Sequence, residues 1–207
     1  MTNYSIFAKY YDEVMGDRND EAKSIVKLIR KYSPKAKKIL EAGCGTGVIL
    51  DYLNKKEFDV FGFDASDEML AIARQKLHGV KLSKQDLTSF YFEEKFDSII
   101  CVFDTINHLL NFDLWLKFFR ASHDNLNTGG ILLFDINTIS KLEHLSESEP
   151  FVKKTDKISM TMTFLKQNDN IYNWHIKLKS TGLPLNVASE HIKETSFPVA
   201  EILKSLK

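Results

Sequence analysis

The sequence predicts a doubly wound α/β domain, a parallel sheet with helices on both faces, and three observations carry that expectation. Short apolar runs alternate with helix-length amphipathic segments from Glu21 to Asn137. Three glycines at alternate positions close the first of those runs, and an acid, Asp64, closes the second. Strand–helix–strand order of this kind implies right-handed crossovers and a sheet buried on both sides.

Each element has a local reason. Glu21–Tyr32 sets Ile25, Leu28 and Ile29 at helical spacing, and Ser33-Pro34 stops the helix because the residue before proline is driven out of helical backbone. Lys38–Ala42, Asp59–Phe63, Val80–Lys84, Phe96–Phe103 and Gly130–Ile136 are rich in β-branched or aromatic residues and read as strands. Gly47–Asn54, Ser66–Leu77 and Asp113–Leu126 read as the helices between them. Ser66 ahead of Asp67 and Glu68 is an N-cap followed by acids in the first turn.

Beyond Asn137 the period changes to two. Ile158, Met160, Met162 and Phe164 alternate with Ser159, Thr161 and Thr163. After the turn Asn168-Asp169-Asn170, residues Tyr172, Trp174, Ile176 and Leu178 alternate again. Gly182 and Pro184 precede a third strand at Val187–Thr195. The expected division is an α/β core with an N-terminal helical arm over 1–137, an antiparallel strand insertion of three strands over 138–195, and the start of a C-terminal helix over 196–207.

Composition narrows the function classes. A 207-residue chain with 43% hydrophobic and 27% charged residues fits a folded soluble domain. Basic and acidic residues balance at 28 each, without the basic excess of a dedicated nucleic-acid binder, so no nucleic-acid partner is expected. No apolar stretch reaches membrane-spanning length, and Met1–Tyr11 lacks the features of a signal peptide. Cys44 and Cys101 have no metal-ligand spacing, so no metal site is expected and a reducing cytoplasm is.

The most informative stretch is Ile39-Leu-Glu-Ala42-Gly43-Cys44-Gly45-Thr-Gly47. Glycine here allows positive φ and lets a ligand approach the backbone. Asp64 follows Gly47 by 17 residues, where an acid can accept both hydroxyl protons of a ribose. A nicotinamide dinucleotide site would want G-x-G-x-x-G for its pyrophosphate. The spacing here is G-x-G-x-G, which suits a nucleoside without pyrophosphate better.

These residues resemble the class I S-adenosylmethionine-dependent methyltransferases. Glu41–Gly47 is similar to their first motif, whose glycines lie beneath the methionine part of the cofactor. Asp64 matches the ribose-holding acid, with Ala65 and Met69 flanking the adenine. Gln85-Asp86-Leu87 matches the position where an acid accepts the adenine amino group. Phe96–Phe103, which contains Val102 at the cofactor side, resembles the fourth strand, and Asn127–Asp135 the turn and fifth strand. The start, Tyr4–Asp12, is similar to the N-terminal segment that folds over the cofactor in small-molecule N- and O-methyltransferases. Glu21-Ala22 and Ser33–Ala36 resemble amino-sugar N-methyltransferases. The resemblance implies S-adenosylmethionine as cofactor, S-adenosylhomocysteine as product, and a small-molecule amine or hydroxyl as methyl acceptor. A non-catalytic module that keeps the cofactor pocket and acts through partners is the alternative.

Candidate chemistry falls on His108, in Asp104-Thr-Ile-Asn-His108 after the fourth strand. It reads as a general base or acceptor-orienting group, against a helix cap or a contact to the cofactor carboxylate. Tyr4 and Tyr11 read either as closing the site or as aromatic packing of the arm. Asp86 is a cofactor acid or a surface cap. Cys44 fits the loop because it is small and has no redox role. Trp174, His175, Glu190 and His191 belong to the added layer, with core or surface roles favoured. Set against the family, the sequence up to Lys207 lacks a final antiparallel pair of strands beside the fifth. The apolar edge near Ile131–Phe134 is therefore expected to support self-association.

Overall fold

The structure is a computed structural model that describes residues 7–168, 170–180 and 187–207. Five parallel strands form the main sheet: β1 (Lys38–Ala42), β2 (Asp59–Asp64), β3 (Lys81–Lys84), β4 (Phe96–Cys101) and β5 (Leu126–Phe134). Their order is β3-β2-β1-β4-β5, so the chain winds outward in both directions from β1. The reversal lies between β1 and β4, the place where open sheets of this kind bind ligands beyond the carboxyl ends of their strands.

Alternation along the strands explains the two helix layers. Ile39, Val60 and Ile100 face α2 (Asn19–Tyr32), α3 (Val48–Asn54) and α4 (Asp67–Lys76), where Ile25, Ile29, Leu50, Leu53, Leu70 and Ala73 complete one core. Leu40, Phe61, Phe63 and Ile99 point the other way, to Trp115, Phe118 and Phe119 of α5 (Phe112–Asn125) and Ile202 of α7 (Val199–Ser205). One side chain in two goes to each layer, as the pleat requires. Leu28, placed on the apolar stripe of the first helix by its spacing, lies at the surface.

The second sheet corrects the expected insertion. It has four antiparallel strands, not three, ordered β6 (Phe151–Lys154), β7 (Ile158–Asn168), β8 (Ile171–Ser180) and β9 (Val187–Glu194). A helix, α6 (Ile139–Glu147), precedes them and was not foreseen; Thr138 caps it through the Lys141 N–H. Ile158, Met160, Met162, Ile176, Leu178 and Ile192 form a third core, and Phe7 and Val14 of the N-terminal arm pack on it. The arm comprises a 3-10 turn, Phe7–Tyr10, and α1 (Tyr11–Met15). Lys153 Nζ, on β6, donates to the Val14 carbonyl at 2.6 Å and ties the arm to this sheet.

Among the described residues β5 pairs only with β4. It begins at Leu126, earlier than the sequence suggests, because Leu126 pairs with Phe96 before a register shift lets Ile131 meet Ser98.

Candidate active site

A cavity of about 590 Å³ opens at the carboxyl ends of β1, β2 and β4, under the N-terminal arm. The glycine loop forms its floor and is fastened to β2. Gly43 and Cys44 both donate N–H groups to the Phe63 carbonyl, each at 2.9 Å. Asp64 then accepts from Gly45 N–H through Oδ2 and from Ser66 N–H through Oδ1, both at 2.8 Å. One carboxylate therefore fixes the loop after β1 against the start of α4. Burial raises the Asp64 pKa, opposed by those backbone N–H groups and that of Ala65.

The three glycines differ in what surrounds them. A Cβ on Gly43 would sit 2.4 Å from Thr105 Cγ2, and one on Gly47 would sit 2.6 Å from a Leu77 methyl. Those two are required by the protein's own packing. Gly45, at φ +52, would point its Cβ into open space. Of the three, only Gly45 leaves open space where a side chain would stand.

The other expected cofactor residues divide in the same way. Tyr11, Gly43, Cys44, Gly45, Asp64, Ala65, Met69, Gln85, Asp86, Leu87 and Val102 all line the cavity, as does His108. Ala42 and Gly47 stand behind the wall: Ala42 is wholly buried in β1, and Gly47, at φ +78, turns the chain into α3. Asp86 accepts from Thr88 N–H at 2.8 Å, so it organises its own turn as well as facing the cavity. Burial pushes the Cys44 thiol well above its usual range, which leaves it unionised. Tyr4 lies outside the described residues. Trp174, His175, Glu190 and His191 do not line the cavity; His175 and His191 stack on each other with ring centres 4.4 Å apart.

Two lining residues had not been singled out. Glu41, 2% exposed, is the last residue but one of β1; among the described residues its Oε2 has no hydrogen-bond partner, and burial together with the Asp64 charge raises its pKa well above normal. A buried acceptor without a donor is costly, and it marks where a cationic group of a ligand would be received. Asp12 of α1 accepts from Thr46 Oγ1 at 2.5 Å and pairs with Lys76 at 2.6 Å, so the arm closes down on the glycine loop. Glu41 was legible as an acid beside the loop, but Asp12, 31 residues before Gly43, was not, and nothing local gave either orientation.

The end of the cavity beneath His108 is built on a strained turn. Phe103 and Asp104 have φ of 58° and 51°, consecutive left-handed residues that are unfavourable for non-glycine side chains. Asp135, just after β5, holds both: its carboxylate accepts from Phe103 N–H at 2.9 Å and Asp104 N–H at 2.7 Å. Asn107, wholly buried, donates to the carbonyls of Asn137 and Thr195 and accepts from Asn137 N–H, while Thr195 N–H donates to its carbonyl. The turn after β4, the exit from β5 and the exit from β9 meet on that one residue.

His108 follows Asn107. Its Nδ1 lies 3.2 Å from the Lys193 carbonyl, which can only accept, so Nδ1 carries the proton and the lone pair of the neutral ring is on Nε2. Burial lowers its pKa, opposed by the charge of Asp104. Tyr11 faces the same end, and burial with the nearby Asp104 charge pushes its phenol up to about 12.

Comparison with known proteins agrees with this geometry. A methyltransferase domain family matches residues 39–130, from β1 into β5. The chain is similar to an S-adenosylmethionine-dependent methyltransferase from Clostridium acetobutylicum, with a TM-score of 0.86 and 26% identity, covering 98% of this chain and 85% of that one. An amino pentose methyltransferase from Micromonospora echinaspora, solved with S-adenosylmethionine bound, shares the fold with a TM-score of 0.83 at 21% identity, covering 99% of this chain and 88% of that one. A dTDP-3-amino-3,6-dideoxy-glucopyranose N,N-dimethyltransferase from Streptomyces fradiae is 37% identical over 45% of this chain and 36% of that enzyme. Cavity, ordered motifs and these likenesses together support a class I S-adenosylmethionine-dependent methyltransferase with amino-sugar N-methyltransferases among the proteins it is similar to.

Proposed function

We propose that the chain methylates an amine or hydroxyl of a small molecule by in-line displacement, with His108 as the general base. The observation that carries this reading is the position of His108, which lines the cavity of the cofactor motifs while its Nδ1 lies against the Lys193 carbonyl, an arrangement that suits Nε2 as the proton acceptor. When bound, S-adenosylmethionine supplies a sulfonium methyl open to attack from the side away from its sulfur. Asp64 would grip the ribose, Met69, Ala65 and Leu87 the adenine faces, Gln85 and Asp86 its edge, and Glu41 the methionine ammonium. The Gly45 backbone gives the cofactor room. Tyr11, kept neutral, closes the wall opposite Asp64 without adding charge.

His108 Nε2 takes the proton that the acceptor must lose, and burial keeps the ring neutral and ready for it. Positioning supplies most of the acceleration, since both reactants are held in one enclosed cavity. No helix among the described residues is long and apolar enough to cross a membrane, and the two cysteines are free and buried, which suits a reducing cytoplasm. Charge balance supports a small acceptor over a nucleic acid. The β5 edge supports self-association, which light scattering reads directly.

Calorimetry with S-adenosylmethionine, followed by methyl transfer into amines and hydroxyl compounds, tests the function. In His108→Ala, turnover falls tenfold or more while cofactor affinity stays within a few-fold. Unchanged turnover removes His108 from the chemistry.

A further inference from the structure

Two carboxyl groups from different sheets meet behind His108. Asp104 sits in the strained turn after β4, and Glu194, 1% exposed, is the last residue of β9. The two carboxyl groups face each other, and Asn137 Nδ2 donates to Glu194 Oε2 at 2.9 Å. Side-chain nitrogen or oxygen atoms of Asp104, His108 and Glu194 lie within 4.8 Å of one another. The charged and titratable groups facing this cluster are Lys141 of α6 towards Glu194, Asp64 towards His108, and Tyr11 and Asp135 towards Asp104.

Two ionised carboxylates can only accept, so carboxyl groups brought this close gain a hydrogen bond only if one of them holds a proton. At this separation two negative charges also exclude each other, so one group stays acidic and the other ionised. Glu194 is the buried member, and burial with the Asp104 charge raises its pKa well above normal. Lys141 acts against that shift without reversing it.

We propose that Asp104 and Glu194 share one proton, and that the single negative charge left on the pair stabilises His108 as it becomes an imidazolium, which makes Glu194 a positioning residue supplied by the second sheet. The proposal rests on the role given to His108 above. In the step, the acceptor's N–H or O–H bond breaks, its electron pair stays on the acceptor atom, and a new N–H bond forms at His108 Nε2. The Asp104–Glu194 pair keeps its proton throughout and contributes charge alone.

The test uses the protein without cofactor or acceptor, so it fails or succeeds independently of methyl transfer. Carbon-detected NMR of labelled side chains is expected to show the Glu194 carboxyl still protonated well above the ordinary glutamate range. Glu194→Gln keeps the hydrogen bonds and one negative charge, so His108 titrates close to wild type. The double variant Asp104→Asn/Glu194→Gln keeps the hydrogen bonds and removes the charge, so His108 titrates about one pH unit lower or more. With cofactor and acceptor present, the acid limb of kcat/KM moves down with the ring. Identical His108 titrations in the single and double variants would mean the pair is merely structural and overturn the proposal. So would a wild-type Glu194 that titrates within the ordinary glutamate range, a reading that needs no variant to fold. A divalent cation retained between two ionised carboxylates after dialysis overturns it as well.

Discussion

Replacing Gly45 and Gly47 by alanine, one at a time, separates two functions combined in the glycine loop. Both residues have positive φ, 52° and 78°, so each alanine meets a backbone penalty of about 1 kcal/mol. Only the Gly47 methyl then collides with its surroundings, 2.6 Å from Leu77 Cδ1 and 3.3 Å from Ala73 Cβ. Leu77 can swing aside, but Ala73 cannot, being fixed in α4. Overpacking of this kind adds roughly 1–3 kcal/mol, which brings Gly47→Ala to about 3 kcal/mol of lost stability. Gly45→Ala stays near about 1 kcal/mol, because nothing in the protein lies within 4 Å of its new methyl. That methyl instead occupies cavity space, and S-adenosylmethionine affinity should fall about tenfold or more, equal to about 1.4 kcal/mol. Urea unfolding measures the first quantity and calorimetry the second. Equal stabilities in the two variants, or full cofactor affinity in Gly45→Ala, would refute the assignment of ligand approach to Gly45.

Further expectations follow from the same contacts. Asp64→Asn places an amide donor against the N–H of either Gly45 or Ser66, so cofactor affinity should drop at least about tenfold and stability by about 1–3 kcal/mol; calorimetry showing unchanged affinity removes Asp64 from the ribose site. Asn107→Ala strips the partners from buried groups of Asn137 and Thr195, and a loss of about 2–4 kcal/mol is expected in urea unfolding; a loss under about 1 kcal/mol contradicts the hydrogen bonds described. Glu194 has a folded pKa raised above its unfolded value, so the folded chain binds the extra proton. Its contribution is complete below about pH 4.5 and is lost as pH rises through the folded pKa, at most about 1.4 kcal/mol per unit. Glu194→Gln should flatten that decline; parallel pH–stability curves for wild type and variant would disprove the raised pKa.

The parallel sheet was legible because its signals are local. Period-two alternation in Ile39-Leu40 and Val60-Phe61 sends neighbouring residues to opposite layers, and both strands obey it. The glycine loop and Asp64 were readable for the same reason: turn, strand end and helix cap lie within a few residues. α6 and β6 were not. Leu142 is the single buried residue of α6, so no apolar stripe announces it, and β6 is an exposed four-residue edge half made of lysine. The early start of β5 was hidden because Asn127-Thr-Gly-Gly130 reads as a turn, whereas the strand takes it up as an irregularity, with Gly129 at φ 79°, between the Leu126 and Ile131 pairings. At the site, Asp104 and Glu194 are 90 positions apart, and Asp135 reaches back across 31 and 32 residues to clamp the turn. Contacts of that range leave no spacing to detect.

Asn107 gives the molecule a division of labour. Along most of its length the second sheet shares its core only with the N-terminal arm, so side chains away from the arm can be exchanged without touching the turn after β4. The final residues of β9 have no such licence: a shift of Thr195 moves the buried amide that holds it, and the imidazole is the next residue along. Remodelling this scaffold for a new acceptor should therefore vary the body of the second sheet and leave its last two or three positions untouched, as one keeps the pin of a hinge when changing the door.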